Sequence, residues 1–438
     1  MPTVGLTTLG CKVNQYETQR IADGFEELGF EIVPFDAAAD VYVVNTCSVT
    51  GQAESKSRYT LRRALRANPS AVRVVTGCAS QLSIARGEDF PLADLVVPNP
   101  DKLSTPGRFA AVFPRLAEAA GKSSRTDRLR PRPRTRATLK VQDGCDVRCS
   151  FCSIPYSRPK LESRPVGEVL AEAQRLAEAG TREAVLTGVL IGSYGPETGS
   201  GGPDFEDLVA LLAAESGLER LRISSIEVQQ VTPRLLELAA QGRVVPHFHI
   251  PLQSGDDGTL ADMGRRYRQR DYLELVRRAY ESVPDLCLTT DIMVGFPTEN
   301  LTRFDSTLHV CSEAKFLKAH VFRFSPRPGT PADSFGDPVL NCEKTKRAQA
   351  VSTATAATAL AVTRRFLGRT LRVIVEGAQR DDGLLEGLAD NGIVTRFVGS
   401  REWRGTVRHV RLDEAHAWGA AGEVVARPER GVPIAMLS

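Results

Sequence analysis

Residues 144–158 read GCDVRCSFCSIPYSR, and this segment determines how the rest of the chain is interpreted. It spaces Cys145, Cys149 and Cys152 as C-x3-C-x2-C within one short loop. Three thiolates this close together can bind three irons of a [4Fe–4S] cube and leave the fourth iron open. The alternative is zinc, but a closed zinc site needs four ligands, and no fourth cysteine or histidine is near. The spacing therefore favours an iron–sulfur cluster.

The cysteine loop follows the first of six strand-like runs that alternate with helix-like runs. The strand-like runs are 138–142, 184–187, 221–224, 248–251, 287–293 and 319–324. The helix-like runs are 166–179, 204–214, 233–240, 271–282 and 301–313. Six β/α units predict a partial barrel, because a closed one has eight. Chemistry in such barrels lies in the loops after the strands, and the cysteine loop is one of these.

A second set of cysteines lies upstream, in another α/β pattern. Strand-like runs at 4–8, 31–35, 41–45, 72–76 and 95–98 alternate with helix-like runs at 15–28 and 53–67. This alternation predicts a doubly wound parallel sheet. Cys11, Cys47 and Cys78 each follow one of its strands, and the carboxyl ends of parallel strands face one crevice. The three thiols are therefore expected to meet as iron–sulfur ligands, although buried cysteines that merely pack beneath loops are the alternative.

The composition is that of a globular protein, with 42% apolar and 25% charged residues among 438. No run of 18 apolar residues occurs, which excludes a membrane span, and the N-terminus lacks the pattern of a signal peptide. We therefore expect a cytoplasmic protein, in which the nine cysteines are thiols or metal ligands rather than disulfides.

Positive charge is concentrated between the two α/β regions. Residues 101–140 hold 11 Lys and Arg against 3 Asp and Glu, and residues 122–136 read KSSRTDRLRPRPRTR. This segment is either a solvated tether or a strap that contacts nucleic-acid phosphates. A long helix at 343–367 precedes five short strand-like runs, which predict a small barrel of the oligonucleotide-binding kind. The expected domains are 1–117, a basic linker at 118–135, 136–367 and 368–438.

These motifs resemble those of known enzymes. The C-x3-C-x2-C loop after the first strand of a partial barrel resembles the radical S-adenosylmethionine (SAM) enzymes. The opening TLGCKVNQYET at residues 8–18, the three-cysteine N-terminal domain and a terminal β domain like the TRAM domain together resemble the methylthiotransferases. Lys12, Val13 and Asn14 after Cys11 are similar to the branch that acts on N6-threonylcarbamoyladenosine in tRNA. The isopentenyladenosine branch usually has a CxMN opening instead.

The resemblance implies a function and its cofactors. Cys145, Cys149 and Cys152 would hold a [4Fe–4S] cluster that binds SAM, and the upstream cysteines an auxiliary [4Fe–4S] cluster. The product would be a 2-methylthio group on the adenosine beside the anticodon, made by radical chemistry without a general base. The expected partners are the tRNA anticodon stem-loop and an electron donor such as flavodoxin or ferredoxin, with a monomeric enzyme. Alternatives are an isopentenyladenosine substrate, or an RNA-binding protein with structural or redox-sensing clusters.

The resemblance also suggests site residues in the loops after the barrel strands. The expected cofactor-binding residues are Thr187, Gly188, Ser225, Glu227, Gln253, Ser254, Asp291, Val294 and Gly295; ordinary turn chemistry is the alternative for each. The expected RNA-binding residues are Arg130, Arg132, Arg134, Arg265, Arg266, Arg401, Arg404 and Arg408. Phe397 and Trp403 are candidate stacking surfaces. Val228 and Pro159 depart from the family's usual pattern, and no role is assigned to His247, His249 or His320.

Overall fold

The computed structural model describes residues 1–49, 51–121, 135–195, 202–377 and 382–426. Its N-terminal domain is built on a parallel sheet with strand order β2-β1-β3-β4-β5. The strands are β1 (Thr3–Thr8), β2 (Glu31–Val33), β3 (Val41–Thr46), β4 (Val72–Gly77) and β5 (Leu95–Val96). The helices are α1 (Lys12–Glu27), α2 (Gly51–Ala67), α3 (Cys78–Ala85), α4 (Thr105–Val112) and α5 (Pro114–Ala120). The doubly wound sheet predicted from the sequence is confirmed.

Burial explains why the sequence of the N-terminal domain alternates between strand-like and helix-like runs. Strand β3 is buried along its whole length, which is typical of a central parallel strand covered on both faces. Helix α1 turns Ile21 and Phe25 toward the sheet, where Phe25 packs edge-to-face against Phe30 and Phe109. These contacts fix the start of α1, and with it Cys11, at the carboxyl edge of the sheet.

The central domain is an open barrel of six parallel strands. It begins with β6 (Arg136–Lys140), followed by a two-stranded ribbon, β7 (Gln142–Asp143) and β8 (Glu162–Ser163). The other barrel strands are β9 (Glu183–Thr187), β10 (Arg220–Ile223), β11 (His247–His249), β12 (Cys287–Val294) and β13 (Lys318–Arg323). They form two groups, β10-β9-β6 and β11-β12-β13, which a parallel bridge between Ser225 and His249 joins. The predicted six-unit partial barrel is confirmed.

Helices cover the outside of this barrel. They are α6 (Ile154–Ser157), α7 (Val166–Glu178), α8 (Phe205–Glu215), α9 (Pro233–Ala240), α10 (Asp257–Asp262), α11 (Gln269–Ser282), α12 (Leu301–Ala314) and α13 (Asn341–Arg364). The short helices α3, α4, α5, α6 and α10 and the β7–β8 ribbon were not expected from the sequence. No helix within the described residues is both long and apolar enough to cross a membrane.

A closed five-stranded barrel forms the C-terminal domain, as predicted. Its strands are β14 (Thr370–Val375), β15 (Leu384–Ala389), β16 (Val394–Val398), β17 (Val407–His416) and β18 (Gly419–Val425), in the order β14-β15-β16-β18-β17. Phe397 is 1% exposed and belongs to its core. The expectation that Phe397 offers a stacking surface is therefore wrong, because its ring faces inward.

The C-terminal barrel is attached to the amino-terminal ends of the central strands by buried charges. Arg220 and Arg222 flank the fully buried Glu183, and both donate to the carbonyl of Ala389. Arg136 binds Glu183 and also Glu376 of the C-terminal domain. Burial alone would raise the pKa of Glu183, but the three guanidinium groups lower it to about 2. The two barrels are thus joined at the end opposite the cysteine loop.

Candidate functional site

The cysteine loop of the central barrel is held by backbone hydrogen bonds on both sides. Cys145 N donates to the carbonyl of Arg158, and Cys152 N donates to that of Cys149. Ser150 N donates to Met263, at the end of α10. These bonds shape the loop without using the three sulfur atoms, which stay available as ligands.

An arginine lies against this cysteine set. Arg265 Nη1 is 3.2 Å from Cys149 Sγ, and the same guanidinium pairs with Glu227 and lies beside the ring of Tyr267. Its side chain is only 4% exposed. Arg265 was expected to contact RNA; its burial beside the cysteine loop leaves no surface for a phosphate, and Arg266, its exposed neighbour, retains that prediction.

Burial favours the protonated form of two of these thiols, Cys145 and Cys152, when no metal is bound. Burial, with neighbouring thiols adding to it, raises the pKa of Cys145 to about 11 and that of Cys152 to about 12. Iron would replace these protons, because thiolates are the ligand form. Among the described residues, no three His, Cys, Asp or Glu side chains are placed to bind one metal ion. The C-x3-C-x2-C spacing can supply one thiolate to each of three irons, which fits a [4Fe–4S] cluster.

The second cysteine set lies at the carboxyl edge of the N-terminal sheet, where the strand pattern predicted it. Cys11 caps α1, Cys47 follows β3, and Cys78 begins α3. A Cβ on Gly10, whose φ is +96°, would lie 2.5 Å from Cys47 Sγ. Only glycine therefore lets the Cys11 loop approach Cys47 this closely. Burial raises the pKa of Cys47 to about 11, and the nearby Cys78 and Cys11 add to that rise.

Arg158 ties the second set to the central domain. Its Nε lies 3.4 Å from Cys78 Sγ, while its terminal nitrogens bind Glu17 and Asp143. Glu17 also accepts from Lys102 at 2.6 Å and from Lys140 at 2.7 Å. Three cations thus face two carboxylates in a nearly dry interface. The surplus positive charge lies beside Cys78, where it would stabilise thiolates that bind iron.

The chain segments that follow Cys47 and Cys152 meet beside one cavity. Ser153, next to Cys152, donates to Ser48 O at 3.2 Å and lies 3.1 Å from its hydroxyl; Ser48 follows Cys47. A cavity of about 140 Å³ opens beside this contact and is lined by residues of both domains. Its lining includes Val49, Cys152, Gln253, Asp291, Met293, Phe322 and Arg327. We call it the central cavity.

The structure separates the predicted cofactor-binding residues into three groups. Glu227 lines a second cavity, of about 210 Å³, together with Asp146, Ser193 and Arg266. Gln253 and Asp291 line the central cavity. The remaining predicted residues are engaged within the protein or lie at strand ends away from both linings: Thr187, Gly188, Ser225, Ser254, Val294 and Gly295.

Two of the predictions in this last group conflict with the hydrogen bonding. Ser254 is fully buried, and its hydroxyl accepts from the amide of Asp256. The amide of Gly295 donates to Glu299, and a Cβ there would lie 2.4 Å from Lys344. The Ser254 hydroxyl and the Gly295 amide are therefore engaged within their own loops, and neither residue belongs to the lining of the two cavities.

Sequence reasoning missed Gln142. Its Oε1 accepts from the amides of Val189 and Leu190 at 3.0 and 2.8 Å, and its Nε2 donates to Gly144 O at 2.9 Å. Gln142 thereby joins the loop after β9 to the cysteine loop. The only signal in the sequence was a glutamine at the end of the strand-like run 138–142, two residues before the segment that begins at Gly144.

The predicted RNA-binding arginines of the C-terminal barrel lie on its surface. Arg401 and Arg404 are exposed, and Arg408 covers the ring of Trp403 at 4.7 Å. Arg408 also lines a groove of about 770 Å³ that runs between the two barrels, together with Arg182 and Arg372. Arg130, Arg132 and Arg134 lie outside the described residues.

Known proteins resemble this chain over nearly its whole length. The Radical SAM superfamily matches residues 139–311, and the Uncharacterized protein family UPF0004 matches residues 3–97. The threonylcarbamoyladenosine tRNA methylthiotransferase MtaB of Bacillus subtilis is 36% identical, over 95% of this chain and 94% of its own. The MtaB of Thermotoga maritima is 33% identical, over 92% of each chain. The tRNA-2-methylthio-N(6)-dimethylallyladenosine synthase of Nitrosospira multiformis is 34% identical, over 96% and 92%.

Solved structures agree on the fold. The radical SAM methyltransferase TsrM from Kitasatospora setae superposes with a TM-score of 0.52 at 16% identity, covering 76% of this chain and 75% of that one. Radical SAM enzymes use a [4Fe–4S] cluster and SAM, and the three cysteines of residues 145–152 lie where that superfamily matches. Both matched families, the relatives and the two-cysteine-set architecture agree: this chain belongs to the radical SAM methylthiotransferases.

Proposed function

We propose that the enzyme attaches a methylthio group to C2 of N6-threonylcarbamoyladenosine in tRNA. The observation that carries this proposal is the central cavity, which is lined by Cys152 of one set and by Val49, two residues after Cys47 of the other, beside the contact between Ser48 and Ser153. An enzyme that joins a sulfur held at one centre to a carbon activated at another needs such a shared cavity. The full-length similarity to proteins named for this substrate supports the choice of nucleoside.

The side chains of this protein would hold and orient the cofactors, and none is proposed to act as a general base. Cys145, Cys149 and Cys152 would hold the SAM-binding cluster, which supplies an adenosyl radical when loaded. Cys11, Cys47 and Cys78 would hold a second [4Fe–4S] cluster, which we propose as the place of the transferred sulfur. The C2–H of adenine is not acidic, so no general base is needed.

Five residues keep the two centres in place. Arg265 and Arg158 donate hydrogen bonds to one sulfur of each set, which lowers the negative charge on that sulfur. Gln142 fixes the loop that we propose to bind the methionine part of SAM. The Ser48–Ser153 contact sets the spacing between the sets, so the base need not move between two sites.

The cavity that contains Glu227 fits the ribose of the cofactor, since a half-buried carboxylate there can accept from two hydroxyls. Gln253 and Asp291 line the central cavity and complete the proposed cofactor contacts. The anticodon stem-loop would approach along the exposed arginines of the C-terminal barrel, and the enzyme would act in the cytoplasm. A flavodoxin or ferredoxin would deliver electrons to a monomeric enzyme.

The second candidate substrate is the dimethylallyl nucleoside, because a synthase for it is 34% identical to this chain. The deciding experiment is mass analysis of tRNA nucleosides from a strain that lacks the gene. Loss of 2-methylthio-N6-threonylcarbamoyladenosine alone, restored by the gene and not by a Cys47→Ala copy, would confirm the proposal. Loss of the dimethylallyl product instead would overturn it.

A further inference from the structure

The open side of the central barrel contains a polar cluster in which only Asp291 is also a proposed cofactor contact. His249, Asp291 and His320 lie on three adjacent strands, β11, β12 and β13. The register pairs Asp291 with His320, and His249 with Thr289. Asp291 Oδ1 is 3.3 Å from His249 Nε2 and 3.4 Å from His320 Nδ1. We call these three residues, together with Lys12, the open-side cluster.

Lys12 reaches this cluster from the N-terminal domain. It begins α1, which packs against β6 at the other edge of the open barrel. It retains accessible surface, yet burial and the neighbouring Arg136 lower the pKa of Lys12, while Cys11 and Asp291 act in the opposite direction. Among the described residues, Lys12 forms no salt bridge. Lys12 is therefore an exposed cation at the start of α1, without a fixed partner among the described residues.

The cluster adjoins the place where a target base would lie. Asp291 belongs both to the open-side cluster and to the lining of the central cavity. His320 is 47% exposed on its side chain, and His249 is 13% exposed, so the cluster faces open space rather than the core. A purine in the central cavity would direct one edge, and any group on that edge, toward this cluster.

We propose that the open-side cluster binds the threonylcarbamoyl group of the substrate, with Lys12 and His320 facing its carboxylate. This inference rests on the proposed function. A threonylcarbamoyl group carries a carboxylate, a hydroxyl and a urea, and these can pair with an ammonium, imidazoles and a carboxylate. A dimethylallyl group has no polar atom, so it would cover Lys12 and Asp291 without pairing them. The cluster therefore selects for the charged nucleoside and against the apolar one.

The test compares anticodon stem-loops that differ only in the group on N6. The first carries threonylcarbamoyl, the second its carboxamide, in which the carboxylate is uncharged, and the third dimethylallyl. The full-length enzyme is reconstituted anaerobically, and kcat/KM is measured for each by mass analysis of the products. Each variant is judged by its ratio between stem-loops, so that a general loss of activity cancels.

In the unmodified enzyme, amidation should lower kcat/KM by about 10- to 100-fold, as expected when a charge-assisted hydrogen bond is removed. In Lys12→Met, the carboxylate and carboxamide stem-loops should react alike, and Lys12→Arg should restore most of the difference. His320→Phe should lower the carboxylate preference by about tenfold. Lys346→Met, a change at an exposed lysine of α13, should leave the ratios as they are.

The outcomes distinguish failure of the proposed role of the open-side cluster from failure of the proposed function. If amidation lowers kcat/KM equally in the unmodified enzyme and in Lys12→Met, and His320→Phe keeps the full preference, the open-side cluster does not bind the carboxylate. If the unmodified enzyme methylthiolates only the dimethylallyl stem-loop, the proposed function itself is overturned. Retention of the carboxylate preference in Lys12→Met alone would remove Lys12 from the proposal and leave the effect of His320→Phe to decide it.

Discussion

Glu17→Gln should loosen the N-terminal domain from the central barrel. Glu17 is 1% exposed and accepts from Lys102, Lys140 and Arg158, at 2.6, 2.7 and 2.8 Å. The amide keeps the shape of the side chain but leaves three buried cations with Asp143 as their only carboxylate. Removing one partner from a buried ionic network typically costs about 3–5 kcal/mol, because the remaining charges lose their compensation.

Hydrogen exchange measured by mass spectrometry is the suitable assay. Both tryptophans, Trp403 and Trp418, lie in the C-terminal barrel, so tryptophan fluorescence does not report on α1. We expect faster exchange of the α1 amides in Glu17→Gln and an earlier unfolding of the N-terminal domain in urea. Glu27→Gln, an exposed position on the same helix, should change stability by no more than about 0.5 kcal/mol.

The destabilisation caused by Glu17→Gln should decrease as the pH falls. Burial alone would raise the pKa of Glu17, but Lys102, Arg158 and Lys140 hold it well below its usual 4.5. A carboxyl group whose pKa is depressed by folding contributes stability above its unfolded pKa and loses it as the pH falls below that value. The difference between the unmodified protein and Glu17→Gln should therefore be full at pH 7 and shrink below about pH 4.5. Identical α1 exchange in both proteins at pH 7 would refute the reasoning.

Three further predictions concern the clusters and RNA. Replacing the cysteines of residues 145–152 with Ala should lower the iron content of the reconstituted enzyme from about eight to about four per chain and abolish SAM cleavage; continued formation of 5′-deoxyadenosine would contradict the assignment. Replacing Cys11, Cys47 and Cys78 should keep SAM cleavage and abolish the methylthio product; loss of both activities in a folded variant would indicate one shared centre. Replacing Arg401 and Arg404 with Ser should weaken tRNA binding and lower its log–log salt slope by about 0.7–0.9 for each phosphate that is no longer neutralised, and an unchanged slope would show that these arginines are merely solvated.

Removing the whole C-terminal barrel would be a poorer test of RNA binding. Three side chains of the central domain pack into the core of that barrel: Val362 in the last turn of α13, Phe366 just after that helix, and Cys287 of β12. Deleting it would expose these apolar side chains and disturb the central domain as well. Point substitutions at exposed arginines avoid this complication.

The sequence was sufficient to predict the order of the elements and the positions of the cysteines. Both depend on local signals: the alternation of strand and helix periodicity, and the placement of each cysteine directly after a strand. The sequence around Phe397 also predicts that its ring is buried. Thr395 and Phe397 alternate with Arg396 along β16 and therefore share its inner face. Reading Phe397 as part of a basic surface neglected that alternation.

The ionic contacts between domains could not be predicted in this way. Glu17 and Arg158 are 141 residues apart, and nothing in either segment indicates its partner. Arg265 lies in a basic run whose members look alike, yet the turn after α10 directs this one inward to Cys149 while Arg266 stays exposed. Which member of a charged run points inward depends on tertiary packing, and periodicity carries no information about it.

The buried attachment between the two barrels gives the enzyme a fixed length scale. Arg220 and Arg222 bind the turn around Ala389 from the central barrel, so the C-terminal barrel is docked rather than tethered by its linking segment alone. If RNA binds on its outer surface, as proposed, the RNA would be presented to the central cavity at a constant distance, and the enzyme would choose a nucleotide by measuring along the strand. A stem-loop lengthened by one nucleotide on the intervening side would bring the neighbouring base to the cavity.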